Sequence, residues 1–219
     1  MDLKQSLIGR SIMMDFEISM INAIRENLGC KIRGCRFHLG QSWMKNIGKK
    51  GLAVTYTTKD SDDGKWLRGL FGLSLVPALI VKNVFKKYCK TRRGKSANLK
   101  VFKDYIWNTY MKNGATFPVE MWAGLAGQTT NNGPEAFHRH FGDLFGYLKS
   151  EPGIWHFLRN MENYNIHKDI KIRSVQITRK SVDDTNDTIR QYLVKEIGVT
   201  KMLQKLSMKH RPMCKLRRK

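Results

Sequence analysis

The stretch MMDFEISMINAIRENLGCKIRGCRFHLGQ, residues 13–41, decides how the rest of the chain is read. It follows an apolar run, Leu7-Ile8 and Ile12-Met13-Met14, that stops on Asp15. A helix-period pattern comes next, with Phe16, Met20, Ile21, Ile24 and Leu28 on one face. Gly29 stands where glycine commonly closes a helix. A second extended run then goes from Ile32 to Phe37 and closes on Cys35 and His38. Strand, helix, strand is a βαβ unit, so its strands are expected to be parallel neighbours. In such units chemistry collects at the carboxyl ends of the strands. The pattern places Asp15, Cys35 and His38 there.

Outward from this core, charge is the outlier. The 219 residues carry 40 Lys+Arg against 18 Asp+Glu, a net charge of +22, with 41% hydrophobic residues to build a core. The length suits one domain with an appendage. An excess of positive charge says nothing of fold but favours a polyanionic partner, nucleic acid first. Four cysteines, Cys30, Cys35, Cys89 and Cys214, have no paired CxxC spacing, and at this length a disulfide framework is not expected. The first residues lack a signal-peptide core, and no apolar run approaches membrane-spanning length. A reducing compartment follows, and the charge points to the nucleus.

Helical material fills the middle. Trp43, Met44 and Ile47 alternate with Lys45, Lys49 and Lys50. Thr55 to Thr58 reads as a turn and short connection. Asp60, Asp62 and Asp63 precede Trp66, Leu67, Leu70 and Phe71 and suit a helix start in solvent. Pro77 opens a helix from Ala78 to about Tyr88. Lys86-Lys87-Tyr88-Cys89-Lys90-Thr91-Arg92-Arg93-Gly94-Lys95 then reads as a basic loop, either a contact for a nucleic-acid backbone or simply solvated. Residues 97–112 form a further helix whose aromatics, at helical spacing, belong to a core rather than to a stacking platform. Near Gly127 to Phe141 the run GQTTNNGPEAFHRHF has Asn131 or Asn132 as a helix cap, Pro134 in the first turn and Glu135 directly after. His138 lies three residues on, on the same face.

A family resemblance is carried by these residues. Asp15-Phe16-Glu17, then Asn22-Ala23-Ile24, then Gly34-Cys35-Arg36-Phe37-His38-Leu39-Gly40-Gln41 resembles the core of Mutator-like element (MULE) transposases, whose pattern runs DFE, helix, GCxFHxxQ. The likeness continues through Gly51-Leu52, Tyr56, Leu73 to Pro77, Trp122, Thr130-Asn131-Asn132, Glu135 and His138, and fades after about Met161. The resemblance implies an α/β, predominantly helical chain with an incomplete RNase H-like fold and a helical insertion over 39–128, all within residues 1–168. A basic C-terminal extension, 169–219, would follow. Asp15 and Glu135 become two of three carboxylates that hold a pair of Mg²⁺ ions for DNA strand cleavage and transfer. His138 falls near them. The family's first Asp belongs on an upstream strand, and only Asp2 precedes Asp15, so the first part of the catalytic domain is expected to be missing. Met1 would then be an internal start or an exon boundary.

The zinc question turns on Cys35 and His38. Two ligands do not make a tetrahedral site, although Cys30, His138 or His140 could approach in space. A buried thiol and a backbone-bonded histidine are expected instead. The leading expectation is therefore a transposase-derived DNA-binding protein without catalysis. Its DNA contacts would come from Lys86, Lys87, Arg92, Arg93 and Lys95, and from Arg217, Arg218 and Lys219 in a tail that equally reads as a nuclear import signal or a solvated end. Self-association or a protein partner is left open. The alternatives are an active DDE-type nuclease using Mg²⁺ and a recruited protein-interaction or regulatory module.

Overall fold

A computed structural model of the chain describes residues 10–91, 96–124, 155, 159 and 179–209. The chain divides into two compact units, Met1–Thr130 with Thr178–Lys219, and Asn131–Ile177. The elements below all belong to the first.

The βαβ corner forms as the periodicity predicts. Strand β1 (Ser11–Met14) and strand β2 (Lys31–Gly34) pair in parallel, with Ser11 opposite Lys31 and Met14 opposite Gly34. Helix α1 (Ile18–Asn27) makes the crossover that parallel pairing requires, burying Ile21 and Ile24. Met20, expected on that inner face, is exposed instead. Gly29 adopts φ +61° and its N–H reaches back to the Ile24 carbonyl, a turn of the left-handed kind that glycine makes at no steric cost. The second strand is shorter than the extended run Ile32–Phe37 suggested. It stops at Gly34, and α2 (Arg36–Lys49) begins at once, so Phe37 and His38 are helical. The reason lies downstream: Leu39, Trp43, Met44 and Ile47 are in helical phase and all buried, and the helix they stabilise extends back to Arg36.

Helices α3 (Ala53–Thr57) and α4 (Asp62–Leu70) follow. The expected Thr55–Thr58 connection is thus largely helical. Ser61 caps α4 by accepting the Gly64 N–H at 3.2 Å, and Asp62 and Asp63 occupy the first turn, as their position implied. The guanidinium of Arg68 donates to the carbonyls of Tyr56, Thr58 and Lys59, tying the end of α3 to α4. A buried 3₁₀ segment, Phe71–Leu75, leads to Pro77 and α5 (Ala78–Thr91). Helix α6 (Ala97–Ile106) passes into a π turn, Trp107–Met111, and the short α7 (Val119–Trp122) packs on β2.

The aromatics of residues 97–112 are largely core, as their spacing predicted: Phe102 and Tyr110 are fully buried. Tyr105 and Tyr110 would stand well apart around an α-helix. The wider π turn brings their hydroxyls within 3.1 Å of each other and within 3.2 and 3.0 Å of Ser42 Oγ. Burial pushes the Tyr110 phenol far above its ordinary range, with Tyr105 adding to the shift and the hydrogen bond to Ser42 opposing it. Trp43 sits at the centre, edge-on to Phe71, Tyr110 and Trp122.

The last described elements are α8 (Arg179–Leu193) and α9 (Val199–Lys209). The sequence, within the basic extension, suggests only weak helical character from Asp183 to Lys205. In the fold, α9 lies across the 3₁₀ segment and α4, with Met202, Leu203 and Leu206 fully buried. Gly72 permits this crossing, because a Cβ there would meet the Leu203 carbonyl oxygen at 2.7 Å. The first unit is therefore a predominantly helical body with one small parallel sheet at its margin. Among the described residues, no helix is long and apolar enough to cross a membrane.

Candidate functional site at the strand ends

The carboxyl ends of the two strands form a corner. Asp15 follows β1 directly and is half-buried. Cys35 follows β2, caps α2 and is wholly buried. The Cys35 N–H donates to the Met14 carbonyl at 2.7 Å, continuing the ladder one step past the register pair Met14–Gly34. Asp15 and Cys35 are thereby neighbours at the strand ends, as the βαβ pattern required.

Phe16 fixes the direction in which Asp15 leaves the strand. Its ring lies against Gly34, where a Cβ would come within 2.5 Å of Phe16 Cζ. On its other sides the ring meets Phe117 at 5.0 Å and Tyr110 at 6.3 Å, both edge-on. The pairing of DFE on one strand end with Gly-Cys on the other thus has a steric cause: glycine is the residue that leaves room for the phenylalanine. Glu17, next in sequence, is exposed and accepts the Ser19 hydroxyl at 2.8 Å.

His38 lies one turn into α2, half-buried, with its ring edge-on to Phe37 at 5.4 Å. Arg36 is held below its ordinary guanidinium range by burial, partly offset by Cys35. Cys30 precedes β2 at its opposite end, about 16 Å along the strand direction from Cys35 at ~3.3 Å per residue, so these two thiols do not share a site. Among the described residues, no group of three or more His, Cys, Asp or Glu is arranged to hold a metal ion. Glu135, His138, Arg92, Arg93, Lys95, Arg217, Arg218 and Lys219 lie outside the described residues, as does His140.

Lys86 and Lys87 are described, and they are not in a loop. Helix α5 continues through both to Thr91, because Val81, Val84, Phe85 and Tyr88 form one continuous buried stripe. Both side chains are exposed and lie over aromatic rings. Lys86 Nζ stands 5.1 Å from the centre of Trp107, and Lys87 Nζ 5.3 Å from that of Tyr192. The same helix carries Lys82 and Lys90, which the expected division into helix and basic loop had separated. Their spacing, 82, 86, 90, was the available signal: one helical row of lysines without an acid.

Comparison with protein-family models, with curated proteins and with solved structures finds no match to this chain.

Proposed function

We propose that this chain binds nucleic acid, DNA foremost, and that its βαβ corner is the remnant of a Mutator-like transposase catalytic domain with an incomplete RNase H-like fold. Such a protein would work in the nucleus. The observation that carries the binding reading is charge: +22 over 219 residues, with exposed lysines on several elements. Phosphate neutralisation by such a surface drives association through counterion release. Support for the ancestry is the placement of Asp15 beside Cys35 at the carboxyl ends of parallel strands, with Phe16 seated on Gly34.

The resemblance also implies Mg²⁺ at this corner. Mg²⁺ takes hard oxygen ligands in near-octahedral array, and a catalytic pair of ions draws on several carboxylates. The described residues offer Asp15 and, one residue beyond Phe16, an exposed Glu17 already engaged by Ser19. Among the described residues that set does not fit a metal pair; Glu135, the second carboxylate the resemblance implies, lies outside them, and the proposal is binding without strand cleavage.

Fluorescence anisotropy with a labelled duplex, titrated from 50 to 200 mM salt, tests it. The logarithm of the association constant should fall linearly with the logarithm of salt concentration, and Asp15→Asn should bind as the wild type does, because one carboxylate at the strand ends holds no phosphate. Absence of binding, or affinity indifferent to salt, would overturn the reading. Cleavage of the duplex in Mg²⁺ or Mn²⁺ that Asp15→Asn abolishes would overturn its catalytic half.

A further inference from the structure

We infer that the solvent face of α5, built from Lys86, Lys87 and Lys90 with Lys82 alongside, is the surface on which the backbone of duplex nucleic acid docks. The inference rests on the nucleic-acid reading above and assigns it a place.

Four lysines and no acid occupy the 14 residues of α5. Lys82, Lys86 and Lys90 follow one another at intervals of four, so each stands above the last on the helix surface. Like charges at that spacing destabilise a helix, and the same positions would support it if acids alternated with the lysines. The row spans about 12 Å along the axis, against about 3.4 Å of axial rise per phosphate on one strand, and so can meet several phosphates at once. Among the described residues the α5 lysines make no ion pair. Lys82 Nζ donates to Asn113 Oδ1 at 3.0 Å, which leaves its charge uncompensated. Acids do flank the helix: Asp104 on α6 lies near enough to act on Cys89, and Asp62 on α4 shares a small hollow with Thr91.

The rings under the lysines point to the form of nucleic acid. Trp107, at the start of the π turn, and Tyr192 on α8 flank α5 and hold the Lys86 and Lys87 ammonium groups to either side. Cations held this way are ordered before a ligand arrives, which lowers the entropy lost on binding. A site for unpaired bases needs open aromatic faces for stacking. Here a lysine covers each ring, so the face suits phosphates and not bases. A convex helix bearing cations meets the outside of a duplex.

The experiment compares three proteins by anisotropy against a duplex and a single strand of equal length: wild type, Lys86→Gln/Lys87→Gln/Lys90→Gln, and a control of equal charge loss, Lys31→Gln/Lys45→Gln/Lys49→Gln, on exposed sites of β2 and α2. For the duplex, the α5 variant should lose about 2.7 from the slope of log affinity against log salt, at ~0.9 per phosphate contact, while the control slope stays near wild type. Equal loss in both variants overturns the inference and leaves the nucleic-acid reading standing. Loss confined to the single strand overturns the choice of duplex. A wild type that binds neither overturns both. Lysine acetylation of the wild type, with and without duplex, gives a reading free of any folding effect: Lys86, Lys87 and Lys90 should be protected, and their unchanged reactivity would overturn the assignment.

Discussion

The βαβ corner and the helical body of the first unit are stabilised in different ways. The corner has two strands of four residues each, with single buried positions at Met14 and Gly34. An isolated two-stranded sheet is marginal in water. It is kept in place by packing on the body: Met14, Ile21 and Ile24 join the common core, α7 lies on β2, and Phe16 spans from Gly34 into the aromatic cluster of Tyr110 and Phe117. The body is redundant by contrast. Trp43, Phe71, Tyr110 and Trp122 contact one another from four segments, and α9 closes over them from the far end of the chain. A corner built from two short strands leans on the body for its stability, while Phe16 and Gly34 set its local geometry.

The largest effect that could break this contrast comes from the body. Trp43→Ala should cost about 3–5 kcal/mol of unfolding free energy, because an indole that is 1% exposed leaves a cavity its rigid neighbours cannot fill. Denaturant unfolding measures it. A loss below about 1 kcal/mol, as for an ordinary surface change, would mean that the body is no more interlocked than the corner.

Gly34→Ala tests the fastening of the corner. The added methyl must displace the Phe16 ring, a movable side chain rather than backbone, so about 1–3 kcal/mol is expected. The cost should shrink when Phe16→Leu is made in the same chain. A cycle in which the two changes simply add would dissociate Phe16 from Gly34 and leave the corner held by something else.

The smallest effect is silent at neutral pH. Burial pushes the Cys89 thiol up to about 12, with Lys103 opposing and Asp104 adding to the shift. Its native value lies above the unfolded one, so the folded state keeps its proton longer. Stability from this thiol is fully present below the unfolded value, near pH 9, and drains away as pH rises toward 12. Thermal melts at pH 7.5 and 10 should show an alkaline loss that Cys89→Ala reduces. An equal loss in both proteins would place the alkaline sensitivity elsewhere, with Tyr110 the next group to examine.

Reading a sequence works best where structure is local. The βαβ corner, the α4 start at its acids Asp62 and Asp63 and the Pro77 opening of α5 were legible, because first-turn acids, prolines, glycines and apolar spacing act within one or two turns. Where tertiary contacts competed with local preference, the boundaries moved. The strand Ile32–Phe37 gave way to α2 at Arg36, since burying Leu39, Trp43 and Ile47 outweighs the extended preference of Phe37. The basic loop became helix through Lys87 and Lys90 because its apolar stripe, ending at Tyr88, packs inward and carries the lysines with it.

What the sequence by itself determined is the chemistry and the local turns: a +22 charge, an acid at the end of the first strand, a glycine closing the first helix, and a lysine-rich stretch from Lys86. Only the tertiary structure decided which of these meet. The π turn swings Tyr110 toward Ser42 and Tyr105, and Trp107 and Tyr192 come from distant segments to hold Lys86 and Lys87. Likewise α9 returns from beyond the second unit to lie over Gly72. Local preferences act over a few residues, whereas these juxtapositions join positions up to about 130 apart in the chain, and burial of a shared apolar core is what brings them together.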